Sequence, residues 1–148
     1  MIKAILRPLR VDDAEGVAEL SEMLGYPVHA NAVRSRIEGF ASSSEHAAFA
    51  AMVQDVMAGW IDAAVERHLQ SEPAVVIGGL VVRDEMRGQR IGQQLCQAVE
   101  TWATQKGISV VRVRSQQKRA DAHRFYLRDG YVQVKTSAVF EKRLQPNP

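Results

Sequence analysis

The residues with the clearest chemical potential lie in a loop at 83–92, which reads RDEMRGQRIG. This loop leads into a stretch with helical periodicity, and a helix N-terminus presents unpaired backbone N–H groups and the positive end of the helix dipole. Gly88 and Gly92 leave the backbone open to close approach, and Arg87 and Arg90 add forked donors that suit phosphate. The pattern predicts an anion site, with a glycine turn carrying two solvated arginines as the alternative.

The loop differs from the common nucleotide-binding motifs. The sequence GxxxxGK followed by Ser or Thr is absent from the chain, and residues 88–92 do not fit GxGxxG. The single cysteine, Cys96, excludes an internal disulfide and Cys-based metal sites. It favours a reducing compartment, so we expect a cytoplasmic protein with no metal.

The elements around the loop predict how it is positioned. Residues 74–82 form an uninterrupted apolar run of strand length, which indicates a strand covered on both faces. From Ile91 the apolar residues recur at a helical period until Gly107, and residues 110–115 read as another strand. A strand, a helix and a parallel strand make a right-handed crossover, so the predicted fold class is α/β with a mixed sheet.

The rest of the chain extends this unit into one predicted domain over residues 1–148. Residues 47–68 are ambiguous between one long helix and a strand hairpin, and β-forming residues with central turn residues favour the hairpin. The other predicted elements are a strand at 3–9, helices at 12–24 and 29–40, strands at 47–54 and 57–68, a helix at 120–129 and two short strands within 131–144.

The net charge of +2 hides an uneven distribution along the chain. Residues 11–72 carry eleven acidic and three basic side chains, whereas residues 83–128 carry ten basic and four acidic ones. This division suggests a cationic partner for the first half and an anionic partner for the second, with solvated faces as the alternative.

Two partner classes are disfavoured by composition. Aromatic residues make up 6% of the chain and do not interleave with the basic stretch, so we expect no nucleic acid. No apolar run approaches the roughly 20 residues of a membrane span, and the first residues lack the apolar core of a signal peptide, so we expect no membrane.

Two ordered motifs resemble the GCN5-related N-acetyltransferase (GNAT) superfamily. Its acyl-CoA signature, Arg/Gln-x-x-Gly-x-Gly/Ala after a strand ending like Gly-Leu-Val-Val, is matched at Arg87, Arg90 and Gly92, with Arg90 standing where glycine is usual. Residues 122–131, AHRFYLRDGY, are similar to the later family motif AxxFYxxxGF. Together with the strand hairpin, the resemblance covers nearly the whole chain.

The resemblance implies a GNAT acyl-CoA N-acyltransferase fold, in the order β-α-α-β-β-β-α-β-α-β-β, with the strands at 74–82 and 110–115 splayed apart. It implies acetyl-CoA as cosubstrate, with the pantetheine arm bonded along the main chain of Leu80 and Val82. The implied pyrophosphate site consists of the backbone N–H groups of Arg87, Gly88, Gln89, Arg90, Ile91 and Gly92. Lys118, Arg119 and Arg124 would lie near the nucleotide end of CoA.

Tyr126 matches the tyrosine that serves as general acid in the family, and aromatic packing with Phe125 is the alternative. The general base stays open. Many family members place an acid on the fourth strand, but residues 74–82 contain none. The candidates are a water molecule or one of four side chains nearby in sequence: Asp62, Glu66, His68 and Glu72.

The function implied is an acetyl-CoA-dependent N-acetyltransferase that acts on the primary amine of a small cationic acceptor by direct attack in a ternary complex. The layout is similar to the aminoglycoside 6′-N-acetyltransferase branch. The alternatives are a non-catalytic acyl-CoA-binding sensor or module, and an acetyltransferase of peptide or protein amines. Homodimers are common in the family, and the C-terminal strands could contribute to one.

Overall fold

The computed structural model describes residues 3–114 and 120–145. One compact unit ends at Arg114, and the described residues 120–145 belong to a second unit. The strands and helices are β1 Ile5–Pro8, α1 Ala14–Met23, α2 Ala30–Ala41, β2 His46–Val53, β3 Val56–His68, β4 Ser71–Val82, α3 Ile91–Gln105, β5 Val111–Val113 and α4 Ala120–Arg128. Short 3-10 turns precede α1, at Val11–Asp13, and α3, at Asp84–Met86.

The first unit is built on a five-stranded sheet in the order β1-β2-β3-β4-β5. Neighbouring strands are antiparallel except β4 and β5, which are parallel and joined through α3. The mixed α/β class predicted from the sequence is confirmed. The sheet is also where the two longest strands, β3 and β4, run side by side.

Helices cover both faces of this sheet. Buried residues of α1 and α2, including Leu20 and Ile37, form a core cluster with Met57 of β3, against which Trp60 also packs. On the other face, α3 buries Leu95, whose Cδ1 lies close to Gly59. Packing on both faces explains why β4 is an apolar run without polar alternation.

The ambiguous stretch at 47–68 is a hairpin, as predicted. Val53 pairs with Val56 across a tight turn in which Gln54 adopts a positive φ of 55°. The pairing register shifts between Ala51 and Met52, which marks a β-bulge near the turn. The hairpin places the long strand β3 beside β4.

The prediction of two short strands within 131–144 is wrong. Residues 131–145 contain no strand, and the large apolar side chains there are exposed, for instance Val132 at 77% and Phe140 at 92%. The segment is rich in β-forming residues, but a strand needs a hydrogen-bonded neighbour and a covered face, which propensity alone does not supply. Strand β5 is also shorter than the predicted 110–115.

A buried ion pair fixes the start of α1 against β1. The guanidinium of Arg7 donates to both carboxylate oxygens of Asp13, at 2.7 and 2.8 Å, and the backbone N–H of Arg10 donates to the same carboxylate at 2.7 Å. Burial raises the pKa of Asp13, but the hydrogen bonds from Arg7 and Arg10 outweigh it and hold the pKa below its ordinary value. Asp13 is therefore ionised at neutral pH and joins the first strand to the first helix.

Replacing Asp13 should destabilise the protein strongly. We expect Asp13→Ala to lower the free energy of unfolding by about 3 kcal/mol, because Arg7 would keep a part-buried charge without its partner. Urea denaturation followed by circular dichroism at pH 7 measures this loss. The control is Glu45→Ala, which removes the exposed Arg67–Glu45 pair and should cost far less. Equal losses in the two variants would contradict the assigned role of Asp13.

Candidate active site

The described pairing between the central strands β4 and β5 is short. Parallel pairing joins Val75, Val76 and Ile77 of β4 to β5. Among the residues that the structure describes, no strand continues this pairing along 78–82. The wedge implied by the resemblance would therefore begin at Gly78, directly after the described pairing.

The register of β4 determines which main-chain groups face the wedge. The N–H of Arg83 donates to the carbonyl of Ala58 on β3 at 2.7 Å. In an antiparallel pair, successive residues point their main-chain groups alternately toward and away from the partner strand. By this alternation the N–H and C=O groups of Val81 point toward β3. Those of Leu80 and Val82 point toward the opposite edge of β4.

The end of β4 leads directly to the N-terminus of α3. No side chain caps this helix, whose first intrahelical bond runs from the N–H of Gln94 to the carbonyl of Arg90, at 3.1 Å. The N–H groups of Ile91 and Gly92 in the first turn therefore have no carbonyl partner within the helix. The dipole adds positive potential at this end, so the arrangement suits an anion.

The remaining loop residues lie around this helix start. Gly88 has a φ of +80°, a conformation that glycine adopts without steric cost. Arg87 is exposed and pairs with Asp84 at 3.2 Å, whereas Gln89 is half-buried. The six residues 87–92 thus form one continuous turn into α3.

Arg90 adopts a left-handed conformation, with φ 64° and ψ 20°, at the N-cap of α3. A residue with a Cβ is strained in this region, which explains why glycine is usual at the matching position of the resembling motif. The backbone geometry of the turn is therefore kept despite the substitution, and the exposed Arg90 side chain adds a positive charge.

Asp62 of β3 lies opposite a pair of glycines at the start of the wedge. Ile61 pairs with Leu80 and Ala63 with Ile77, so Asp62 faces two residues of β4, Gly78 and Gly79, in a β-bulge. The N–H of Gly79 donates to Asp62 Oδ1 at 3.0 Å, and the N–H of Gly78 also faces this carboxylate.

The two glycines leave the space that Asp62 and its neighbour Trp60 occupy. A Cβ on Gly78 would collide with Asp62 Oδ1, and one on Gly79 would lie 2.7 Å from Trp60 Cη2. Burial raises the pKa of Asp62, and the N–H groups of Gly79 and Gly78 and the charge on His46 offset part of this rise.

The other base candidates have different environments. Both Glu66 oxygens accept from Arg114, at 2.9 Å each, and the ring of His68 lies 2.9 Å from Glu66 Oε1. The Arg114 and His68 hydrogen bonds lower the pKa of Glu66 to about 2, so this carboxylate is a poor proton acceptor near neutral pH. His68 and Glu72 are exposed near the hairpin turn between β3 and β4.

Ion pairs reduce the net negative charge expected of the first half of the chain. At least four of its acids pair with arginines, three of which come from outside residues 11–72. These pairs are Asp13 with Arg7, Glu19 with Arg83, Glu45 with Arg67 and Glu66 with Arg114. The acidic stretch therefore serves partly to hold the fold together and is weaker support for a cationic acceptor than the sequence suggested.

Tyr126 lies on α4, in the second unit. Its ring packs edge-to-face with Phe125, at a centroid distance of 5.2 Å, and with Tyr131, at 5.8 Å. The N–H of Tyr131 donates to the carbonyl of Tyr126 at 2.9 Å. On the same helix Arg124 pairs with Asp121, whereas Lys118 and Arg119 lie outside the described residues.

Comparison with known families identifies the class of protein. The model of the Acetyltransferase (GNAT) family matches residues 15–131. The chain therefore belongs to the GNAT acetyltransferase family, as the two motifs implied.

Solved structures and a sequence relative agree with this assignment. A structure of AAC(6')-Iy with the bisubstrate analogue CoA-S-monomethyl-acetylneamine superimposes with a TM-score of 0.84 at 21% identity, over 95% of this chain and 99% of that one. The aminoglycoside 6'-N-acetyltransferase AAC(6')-Ih from Acinetobacter baumannii gives 0.83 at 17% identity, over 96% and 99%. These likenesses establish the fold.

The sequence relative is an aminoalkylphosphonate N-acetyltransferase from Salmonella typhimurium, 52% identical over 54 residues. The match spans about a third of each protein, 36% of this chain and 35% of the relative. Within the described residues, no helix is long and apolar enough to cross a membrane, and no three His, Cys, Asp or Glu side chains gather as metal ligands do.

Relieving the strain at Arg90 should stabilise the protein. A left-handed backbone costs a residue with a Cβ about 1–2 kcal/mol, and the extra freedom of glycine in the unfolded chain returns about 0.5–1 kcal/mol of that. We therefore expect Arg90→Gly to raise the free energy of unfolding by roughly 0.5 kcal/mol, measured by chemical denaturation.

The matched control for this prediction is Arg87→Gly. Arg87 has an ordinary φ of −67°, so glycine there brings only its entropic cost and should lower stability. A loss of stability in both variants would show that Arg90 is not strained.

Proposed function

We propose that the chain is an acetyl-CoA-dependent N-acetyltransferase that transfers an acetyl group to the primary amine of a small acceptor. The observation that carries the proposal is the end of β4, where the described pairing with β5 stops at Ile77 and a short loop leads to the uncapped N-terminus of α3. We call the edge of β4 and the loop 87–92 at the start of α3 the cofactor track. A ligand with amide groups and a terminal diphosphate suits this surface, because the strand edge offers partners for amides and the helix start offers donors for an anion.

The described residues fit acetyl-CoA in this track. The main chain of Leu80 and Val82 would bond the pantetheine arm, and the N–H groups of residues 87–92 would hold the pyrophosphate. Bound acetyl-CoA supplies an activated acetyl thioester and a thiolate leaving group. The chain itself supplies alignment, since a strand edge fixes the direction of a bound amide chain along β4.

Tyr126 is proposed as the general acid. Its phenol would donate a proton to the departing sulfur, a step that needs a donor held beside the leaving group. The match of residues 122–131 to the family motif supports this role. We further propose that residues 1–148 act as one acetyltransferase domain, since the family model spans 15–131.

The acceptor is proposed to be a small cationic amine. The names of the sequence relative and of the structural neighbours both specify small amino compounds, an aminoalkylphosphonate and aminoglycosides. An acetyltransferase of peptide or protein amines is the competing choice. A non-catalytic acyl-CoA-binding module is a second candidate function, favoured by the absence of an acid in residues 74–82.

Thiol release from acetyl-CoA tests the proposal. The full chain is incubated with acetyl-CoA and a panel of aminoalkylphosphonates, aminoglycosides, polyamines, amino acids and peptides, and free thiol is measured. At least one small amine should accelerate release well above the rate with acetyl-CoA alone. Binding of acetyl-CoA without acceleration by any amine would favour the non-catalytic module.

Tyr126→Phe should lower kcat by about 100-fold, because the ring stays in place while the proton donor is lost. The dissociation constant of acetyl-CoA, measured by calorimetry, should not change. Tyr131→Phe is the matched control, since it removes a hydroxyl from the neighbouring ring of the same aromatic group. An unchanged kcat in Tyr126→Phe would leave Tyr126 with a packing role alone.

We also propose a cytoplasmic homodimer in which residues 131–145 pair with a second copy of this chain. The segment is β-forming, and Val134, Val139 and Leu144 are 73%, 85% and 82% exposed. Exposed apolar segments of this kind pair readily with another chain. Light scattering should give twice the mass of 16.4 kDa, and Phe140→Ser should weaken the dimer. A monomer at micromolar concentration would refute it.

A further inference from the structure

Asp62 combines two properties that the proposed cofactor track does not use. It lies opposite Gly78, which directly follows Ile77, the last residue of β4 with a described pairing to β5. It is also partly buried, and within the described part of the chain it forms no ion pair with an arginine or lysine. A carboxylate in such a position is costly to ionise and gains from any cation that reaches it.

The carboxylate is held in place and remains open on one side. The N–H groups of Gly79 and Gly78 fix its direction, and Gly78, which it contacts, is exposed. Because neither glycine has a side chain, β4 leaves space beside the carboxylate of Asp62 that a ligand nitrogen could enter. The indole of Trp60 borders the same spot against Gly79 and offers an aromatic wall beside a cation.

We propose that Asp62 binds the ammonium group of the acceptor and accepts its proton, so that β3 supplies the general base across the diglycine bulge of β4. The inference rests on the proposed acetyltransferase function and deepens it. The acceptor class is a primary amine with an unhindered ammonium, because the indole of Trp60 lies against Gly79 and narrows the space beside Asp62.

The proton and electron balance of the step is complete. One proton passes from R–NH₃⁺ to the carboxylate of Asp62, which frees the nitrogen lone pair. That pair forms the C–N bond to the acetyl carbon as the C–S bond breaks and its electrons leave with sulfur. The sulfur gains a proton and the nitrogen loses its second one, so the products are the N-acetyl amide, a free thiol and one proton that Asp62 returns to solvent.

The stability of Asp62→Asn distinguishes a catalytic role from a purely structural one. The amide oxygen of Asn can still accept from Gly79 and Gly78, so the bulge keeps its hydrogen bonds while the base is lost. Because the pKa of Asp62 is raised in the folded state, its ionised form opposes folding at neutral pH. Asp62→Asn should therefore be at least as stable as the parent chain at pH 7.

The experiment compares the parent chain, Asp62→Asn and the control Asp55→Asn, which changes an exposed aspartate in the β2–β3 turn. Using the best amine of the panel, we expect Asp62→Asn to lower kcat/KM by at least about 100-fold, with unchanged acetyl-CoA binding and unfolding. Asp55→Asn should match the parent chain. A kcat/KM within threefold of the parent in Asp62→Asn would overturn the proposal.

The pH profile gives a second readout. Asp62 must be ionised to act, so kcat/KM of the parent should fall on the acid side through the raised pKa, and this fall should vanish in Asp62→Asn. His46 of β2 is the titratable group whose charge acts on Asp62, and β4 contributes only the N–H groups of its glycines. His46→Gln should shift the pH at which kcat/KM falls on the acid side. If Asp62→Asn kept the same fall as the parent chain, Asp62 would not be the base.

Direct binding separates this inference from the proposed function. Calorimetric titration of the CoA-saturated protein with the same panel should show amine binding that weakens at least tenfold in Asp62→Asn. If the parent chain turned over no amine, the acetyltransferase proposal would fail and this titration would decide on Asp62 alone. Equal amine affinity in both proteins, or none in the parent, would then overturn its role as the ammonium site.

Discussion

The proposed site depends on where the backbone hydrogen bonds between β4 and β5 end. A central strand normally pairs on both sides, and within the described residues β4 pairs with β5 at Val75, Val76 and Ile77. Beyond that point Leu80 and Val82 direct their main-chain groups away from β3, and such groups need partners because buried donors and acceptors are costly when unpaired. In the proposed function, the amide groups of the pantetheine arm would supply them.

The elements around this break make the unpaired edge usable. Helix α3 packs Leu95 against the sheet and so brings its own N-terminus to the end of β4. On the opposite face, α1 and α2 pack against Trp60 and the hairpin strands. One strand edge and one helix start are thereby aligned by ordinary core packing, and the site needs few dedicated polar side chains of its own.

Sequence reasoning succeeded where the signal was local. The apolar run of β4, the period of α3 and the glycine after it sufficed to predict the crossover. The loop 87–92 does lie at a helix start, and the anion site there stays a prediction. It failed at residues 131–144, where β-forming residues found no neighbouring strand within the described chain.

Pairings between distant residues were also beyond the reach of the sequence. Arg114 neutralises Glu66 across 48 positions, so the apparent acidity of the first half was overestimated. The carboxylate at the wedge was a similar case. Asp62 was one of four side-chain candidates, and only the register of β3 against β4 shows that it faces a bulge. The adjacent glycines at 78 and 79, inside an apolar strand, were the one local signal of such a close approach.

The diglycine bulge constrains how this protein could change its specificity. A side chain at position 78 and the carboxylate of Asp62 would occupy the same volume, so an acid at position 78 and an acid at position 62 exclude each other. Moving the carboxylate to the neighbouring strand would require at least two simultaneous substitutions, one to vacate the space and one to fill it. A substitution at position 78 alone would crowd Asp62, and loss of Asp62 alone would leave no acid at this place. Neither single substitution therefore leads from one arrangement to the other through a form that keeps both the packing and the acid.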